Sequence, residues 1–501
     1  MSTPAPLPQG RVILRRGSTA TAAAALAAIL YLPLPAIAAD SGAAGTAASG
    51  ISTAALQPNE TASADIPAVP DTELKRRLDA VAATGIAGER LHTDLLRRFY
   101  TAHKYEPVWT ERQAQAETLR RALMSAGEHG LDPNLFHSAA LGNAANLSAI
   151  DRDLLLSDAF LAFADALARG AVPIEARYDD EDLRPEPVDV TAELDRAIAS
   201  SDPAAAIERL APQTAAYKAL QRALQTVQHG SAAEQAAPAT AAGHGRTGQQ
   251  ARPSGDARLK QIAVNLERQR WLPRSMPPDR VVVNTAAAQL VLYRSDRPVF
   301  TTRVVVGETD KQTPELQTTI DGVLFNPPWN VPPSIARNEI LPKVARDPSY
   351  LSRHNMVYRG NGAIQQLPGP QAALGQIKFE MSNRFDVYLH DTPMKALFSQ
   401  DNRRRSHGCV RVQNPRELAA LLLQESPDAV NRGVSVGYTH RKSLPSTVGV
   451  FFVYQTAFAD PDGTVEFRPD FYQRDEAIWA KLHRAAPAPM AQRDPSGERR
   501  S

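Results

Sequence analysis

From Thr72 onward, apolar residues recur three or four positions apart: Leu74, Leu78 and Val81, then Leu91, Leu95, Leu96 and Phe99. That spacing predicts amphipathic helices. The stretch 100–109 breaks it and ends in the aromatic turn Glu106-Pro107-Val108-Trp109. Helices are expected again over 114–129 and 152–169. The second presents Leu155, Ala159, Leu161, Phe163 and Leu167 and stops at Gly170. Another helical segment covers 203–228. Asp256 is placed to cap one more, running to Arg270 and ended by Trp271-Leu272-Pro273.

Past that point the period changes. Residues 281–284, 288–294, 299–306 and 320–326 are β-branched runs punctuated by Asn, Asp and Gly, and Ser295-Asp296-Arg297-Pro298 suits a hairpin turn. Successive hairpins of this kind predict an antiparallel sheet rather than βαβ units. Pro327-Pro328-Trp329-Asn330-Val331-Pro332-Pro333 excludes helix and central strand. Residues 334–350 turn helical again through Ile335, Ile340, Leu341 and Val344. A helical insertion here, 334–356, fits a lid over a site, with a packing excursion as the plainer alternative. Residues 385–389 form a strand that runs straight into His390. Asn414-Pro415-Arg416-Glu417 is a helix start, with Leu418, Leu421 and Leu422 facing inward over 415–424. Strands at 434–438 and 448–455, then a hairpin turned by Asp460-Pro461-Asp462-Gly463 into 464–468, complete the pattern. The fold class is α+β: an N-terminal all-α domain over 71–229, then a mostly antiparallel β domain over 256–484 with a helical lid insertion.

Three stretches lack the apolar content for a core. Residues 39–70, 230–255 and 485–501 are rich in small and polar residues or proline and are expected to be tether, linker and tail. His244, inside the second, is expected to be a solvated side chain rather than a ligand. Arg11, Arg15 and Arg16, the apolar run 20–34 and the small residues Ala36 and Ala38 have the form of an export signal over 1–38, cleaved near Ala38. Pro33 and Pro35 interrupt that run, which makes it a poor transmembrane anchor. Export implies a periplasmic address and no stable membrane span after cleavage. Loss of three arginines with no acidic residue would take the formal charge from +2 to −1. A near-neutral chain gives no electrostatic case for nucleic acid.

Export also bears on the lone cysteine among the 501 residues, Cys409. It cannot close an internal disulfide, so it is either buried and inert or a reactive nucleophile. Its surroundings, Arg405-Ser406-His407-Gly408-Cys409-Val410-Arg411, point to the second. A thiol attacks a carbonyl as thiolate, and His390, His407, Arg405 and Arg411 can supply base and positive field. Gly408 lets the backbone come close to a substrate and aim N–H groups at a developing oxyanion. A structural thiol is the bland alternative, and a zinc site is a weaker one, because one thiol with nearby His and Asp391 falls short of a ligand set. In 71–229 the histidines are scattered and no triad or metal spacing occurs, which fits a scaffold.

His390, fifteen intervening residues, then Ser406-His407-Gly408-Cys409 resembles the signature of the L,D-transpeptidase (YkuD-type) catalytic domain. Val306-Gly307 with Thr313-Pro314, Asn326-Pro327-Pro328-Trp329 and Leu389-His390-Asp391 extend the resemblance over about 258–480. The helical block with Glu106-Pro107-Val108-Trp109 is similar to the scaffold domain of the large Gram-negative YcbB-like members. The resemblance implies a cell-wall enzyme without cofactor or metal. Cys409 is then the nucleophile and His390 the general base and proton donor. Tyr388, Ser406, His407 and Gly408 support the oxyanion and the site, while Arg411, Trp329 and Asn330 are substrate-binding candidates. The partners it implies are peptidoglycan peptide stems as donor and acceptor, with other cell-wall synthesis proteins besides. The implied reaction is a 3→3 crosslink between diaminopimelate residues with release of D-Ala, and carbapenems are the implied acylating inhibitors. An L,D-carboxypeptidase, an amidase, or a ligase joining lipoprotein to wall would use the same Cys/His site. A non-catalytic wall-binding scaffold would need neither residue. Where YcbB-type members carry a peptidoglycan-binding domain, this chain has the 230–255 stretch, so glycan docking falls to the scaffold helices or the lid.

Overall fold

The computed structural model describes residues 71–236, 255–460 and 462–483, and of 231–236 the backbone only. The expected export signal, the tether, His244 and the tail lie outside the described residues.

The helical periodicity translates into helices at Glu73–Thr84, Thr93–Ala102, Gln113–Met124, Ala149–Arg169, Val190–Ala199, Pro203–Glu208 and Ala215–Ala236. Thr72 caps the first by accepting from the Lys75 N–H at 3.1 Å. Ala149–Arg169 is the spine: from Asp153 to Ala168 nearly every residue is buried, and Gly170 ends it at φ +95°. Where one segment was expected over 203–228, two helices stand, and the longer continues to Ala236, into the small-residue stretch. Trp109 and Val108 tuck back under the spine, where the buried Asp153 carboxylate accepts both backbone N–H groups, at 2.7 and 3.1 Å.

Helix Gly255–Arg270 belongs by packing to this helical core, through Ile262, Val264 and Leu266. The same core continues into Phe451 and Val453 of the β region and Ile478 and Leu482 of the last helix, Asp475–Leu482. Buried ion pairs lie in that seam: Arg268 to Asp475 at 2.6 Å, Arg270 to Glu267 at 2.9 Å, and Arg474 to Glu315 at 3.1 Å.

The sheet closes on itself. Its neighbours run Glu315–Phe325, His440–Val453, Arg280–Asn284, Gln289–Arg294, Arg297–Gly307, Val410–Val412, Leu389–His390 and Ile377–Met381, which pairs back to Glu315–Phe325. Most contacts are antiparallel. Four are parallel, His440–Val453 with Arg280–Asn284, Leu389–His390 with Val410–Val412, and the flanking Glu181–Asp182 with Glu315–Phe325 and Arg404–Ser406 with Arg297–Gly307, so hairpins alone do not build it. The turn at Ser295-Asp296 has φ of +49° and +63°, the twist a tight two-residue hairpin needs. Inside lie Val281, Leu290, Val304, Ile320, Phe379 and their neighbours, closed by helices Pro415–Leu423 and Pro427–Ser435.

Three sequence expectations fail here. Of the strand expected over 385–389 only Leu389 is in one, in Leu389–His390, because Asp386 at φ +54° turns the chain just before it. Residues 434–438 are not a strand: Val430 and Val434, four apart, are buried on helix Pro427–Ser435, which Ser426 caps. Leu421 is exposed, because the inward stripe of its helix is Leu418, Ala419, Leu422 and Leu423.

The insertion is larger than the helical pattern suggested. It holds its own three-stranded sheet of Trp329–Asn330, Ile364–Gln366 and Met356–Tyr358, and a small core of Val331, Ile340, Leu351, Met356 and Ile364. Its helical arm carries a π-turn at Ala336–Ile340.

Candidate active site

Cys409 stands on a tight connection between strands Arg404–Ser406 and Val410–Val412. Ser406 organises it from inside. Its buried Oγ donates to the Cys409 carbonyl at 2.6 Å and accepts from the Gly408 N–H at 3.3 Å. Gly408 sits at φ +108°, a backbone state that a side chain would strain. Thr313 clamps the other side: its Oγ1 donates to the Gly408 carbonyl at 2.8 Å and accepts from the Gly307 N–H at 2.9 Å. Gly307 is required, because a Cβ there would lie 2.1 Å from the Lys311 carbonyl oxygen. Val306-Gly307 and Thr313 therefore hold the nucleophile's turn.

His390 comes from the neighbouring strand, opposite Arg411 in the parallel ladder, and is 4% exposed. Its Nδ1 lies 2.5 Å from the Asp391 carbonyl oxygen. An N–H on Nδ1 donates there and leaves Nε2 with its lone pair in the neutral ring. Burial, and then the Arg411 charge, push the imidazole down to about 4. The ring is therefore neutral at neutral pH. The buried Asp391 carboxylate does not touch that ring nitrogen. It accepts from the Gln376 and Thr392 N–H groups and from Lys395 Nζ, at 2.9, 2.7 and 2.6 Å, and so fixes the loop beneath.

The Cys409 thiol is half-buried, and its Sγ lies 3.8 Å from the Asp386 carbonyl oxygen. Asp386 is held at φ +54° by Asn383, whose amide bonds the Val387 carbonyl and the Phe385 and Val387 N–H groups. Burial pushes the thiol up, against the Tyr388 contacts and the charges of Lys378 and Arg411. The Tyr388 hydroxyl is in hydrogen-bonding reach of Cys409 and Trp329, and burial followed by the cysteine's charge holds it far above the ordinary phenol range. It is a permanent O–H donor beside the sulfur. Among the described residues no hydrogen bond joins the thiol to His390; the two meet across a shared cavity.

That cavity, about 960 Å3, is lined by Cys409, His390, Tyr388, Arg411, Trp329 and Asn330 among others. Arg411 has a buried Nε without a protein partner, and burial lowers its pKa. Asn330 is tied to Gln365 at 2.6 Å. His407 is exposed and turned to the insertion, whose Glu339 its Nε2 contacts, and that nitrogen also lies 2.9 Å from Lys311 Nζ. Lys311, Glu339 and Lys378 were not found by sequence reasoning. Lys378 lies 4.3 Å from the Tyr388 ring centre. Its one sequence signal is polar alternation between the buried Ile377 and Phe379. Among the described residues no group of three or more His, Cys, Asp or Glu could hold a metal ion.

A lone thiol, a neutral buried imidazole, a phenol donor and cationic side chains thus share one cavity on the closed β-sheet. Residues 278–430 match the family model of the L,D-transpeptidase catalytic domain (YkuD), and 94–224 match that of the Scaffold domain. The chain thus carries a YkuD L,D-transpeptidase catalytic domain preceded by a Scaffold domain, the YcbB-type arrangement. A Haemophilus influenzae protein named provisionally as an L,D-transpeptidase is 27% identical over 416 residues, 77% of this chain and 78% of that one. Two solved structures are similar at 12% identity. One is the Ldtfm-avibactam carbamoyl enzyme, with 36% of this chain and 51% of that chain covered and a TM-score of 0.22. The other is an L,D-transpeptidase from Mycobacterium smegmatis, with 35% and 58% covered and a TM-score of 0.21. This chain thus spans under two thirds of either solved chain.

Proposed function

We propose that the protein crosslinks peptidoglycan, joining two diaminopimelate residues through a thioester on Cys409. One observation carries this: the chain's single thiol opens into a cavity shared with a histidine that burial keeps neutral. Cys409 Sγ attacks the carbonyl that links diaminopimelate to the terminal D-Ala, and its proton passes to His390 Nε2. The tetrahedral oxyanion is met by the Tyr388 O–H and the amides around Gly408 and Cys409. His390 returns the proton to the leaving amine, D-Ala departs, and a thioester remains. The side-chain amine of a second diaminopimelate attacks the thioester, loses a proton to His390, and the thiol re-forms. Atoms and charge balance without a cofactor.

Arg411 and Lys378 supply positive charge to the cavity that receives the carboxylates of donor and acceptor stems. Trp329 and Asn330 place the lid's sheet at its rim. Such an enzyme works where the wall lies, so residues 1–38 act as the export signal to the periplasm. Carbapenems are expected to acylate Cys409.

Mass spectrometry of muropeptides incubated with the purified protein tests the assignment. Dimers joined through two diaminopimelates are expected. Tripeptides alone would make the protein a carboxypeptidase, and unchanged turnover by Cys409→Ala would remove the thiol from the mechanism.

A further inference from the structure

One short scaffold segment, 178–182, reaches two of the loops that surround Cys409. Its strand Glu181–Asp182 runs parallel to Glu315–Phe325 with Glu181 beside Glu315, and the Asp180 carbonyl accepts from the Glu315 N–H at 2.9 Å. Glu315 directly follows the loop 308–314, which packs on the nucleophile's turn. Lys311 meets His407, the Gln312 carbonyl oxygen lies 3.5 Å from where a Gly408 Cβ would stand, and Thr313 holds the Gly408 carbonyl.

The segment grips this loop again through the buried Arg474. That guanidinium pairs with Asp180, donates from Nε and Nη2 to Gln312 Oε1 at 2.8 and 2.6 Å, and from Nη1 to Glu315 at 3.1 Å. Tyr178 Oη donates to the Arg474 carbonyl at 2.7 Å. Gln312 Nε2 donates in turn to the Thr309 carbonyl at 3.1 Å, so one amide side chain both closes the loop and anchors it. Arg384 ties the same segment to another wall of the catalytic cavity. It donates to the carbonyls of Asp179 and Glu181 at 2.9 and 3.2 Å. The residues after it, Phe385 to Val387, line that cavity, and the Asp386 carbonyl is the one beside Cys409 Sγ.

What the loop holds is a direction. The Gly408 C=O and the Cys409 N–H belong to one planar trans peptide unit and point opposite ways. The Thr313 bond to that carbonyl therefore fixes where the Cys409 N–H aims. A donor aimed in advance at the developing oxyanion is what lowers the barrier to acyl transfer. Any shift of the loop would have to break charge-assisted hydrogen bonds to a buried guanidinium.

We propose that the scaffold sets the aim of the oxyanion donor at Cys409. Asp180, Arg474 and Gln312 are positioning residues that act through Thr313 on the Gly408–Cys409 peptide. Their role presupposes the acyl transfer at Cys409 proposed above, and none of the three touches the reacting atoms.

For the test, the full chain is mixed with p-nitrophenyl acetate and its first turnover is followed by release of p-nitrophenolate. Cys409 Sγ takes the acetyl group, the ester C–O bond breaks, and the thiol proton passes to His390; release by Cys409→Ala is subtracted. Alkylation of Cys409 by iodoacetamide is measured in parallel, because displacement at a saturated carbon forms no oxyanion. Gln312→Ala should slow acylation roughly ten-fold and leave alkylation within about two-fold. Asp180→Ala should slow acylation about three-fold, and Asp180→Asn, which keeps an acceptor for Arg474, should recover most of it. In the Gln312→Ala background, Asp180→Ala should add nothing, since both act on one chain of contacts. Thermal melting checks that the variants fold. Should Gln312→Ala melt well below the parent, the Asp180 variants, at a partly exposed side chain, carry the same comparison. Acylation at the parent rate in Gln312→Ala and Asp180→Ala overturns the proposal. So does an equal fall in acylation and alkylation, which would place the fault in the thiol. Gln312 dependence of ester acylation in a parent that yields no crosslinked muropeptide would instead remove the wall reaction and leave the positioning role standing.

Discussion

At the scale of single residues, the site separates two requirements that a reactive thiol usually meets together. Burial raises Cys409 and lowers His390, so the resting pair is neutral thiol and neutral imidazole rather than a preformed ion pair. Proton transfer then accompanies attack, and the pair titrates as a unit. Protonated His390 cannot accept the thiol proton, so activity is lost as pH falls through the imidazole's pKa. Because that pKa is depressed, to about 4, the acid limb of kcat/KM for acylation should lie well below the 6.5 of a free imidazole. Initial rates between pH 4 and 8 with a tetrapeptide donor measure it, and an acid limb centred near 6.5 would sink the neutral-pair account. His390→Ala should cost about 10²- to 10⁴-fold in acylation rate. His440→Ala, which removes a ring stacked on Phe325, should cost little. The identities of Cys409 and His390 were legible in the sequence from residue type and spacing. That Ser406 and Thr313 clamp the turn was not, because the bond from Thr313 crosses 95 positions of chain.

At the scale of elements, the insertion is joined to the nucleophile's loop through His407. Its partner Glu339 rides on the lid's π-turn, and Lys311 comes from the loop that also carries Thr313. Burial acts to raise the Glu339 carboxyl, but His407 and the charges of Lys311 and Lys343 outweigh it and hold it below its usual range. An exposed pair of this kind is worth little, so it biases the insertion's position over the site and does not lock it. Glu339→Gln should raise the share of thioester lost to water, read as the ratio of tripeptide to crosslinked dimer, about two- to five-fold. High salt should mimic the change in the parent protein and leave the variant unmoved. A ratio that stays constant in the variant would detach the lid from acceptor choice. The lid's helices were legible because Ile335, Ile340 and Val344 keep a helical period. Its sheet was hidden by the prolines before it and by strands two or three residues long. The misread strand at 434–438 has the same cause: over five residues, Val434 and Val436 fit period two, and only Val430 shows that the true period is four.

At the scale of the whole molecule, the α+β division visible in the sequence does not mark the end of the helical core, although the closed sheet keeps a core of its own. The apolar cluster under the scaffold spine runs without a break into Phe451, Val453, Ile478 and Leu482. Arg268, buried at the seam, has Asp475 as its carboxylate partner, and Asp475 in turn accepts from Thr456 Oγ1 at 2.8 Å. Periodicity could not reveal this, since it reports which face of an element is apolar and not what covers it. Removing one member of a buried pair leaves the other charge without compensation, so Asp475→Ala should destabilise the protein by about 3–5 kcal/mol. The lone thiol offers a local reporter for the consequence. Denaturant titration followed by far-ultraviolet circular dichroism reports mainly the helices, and the labelling rate of Cys409 by a thiol reagent reports the closed sheet. With the two regions coupled through this seam, both transitions should move together in Asp475→Ala, with one midpoint lower than that of the parent. If the helical signal shifted while Cys409 kept the parent's protection, the seam would be a contact between independently stable halves, and the scaffold could not transmit strain to the site through it.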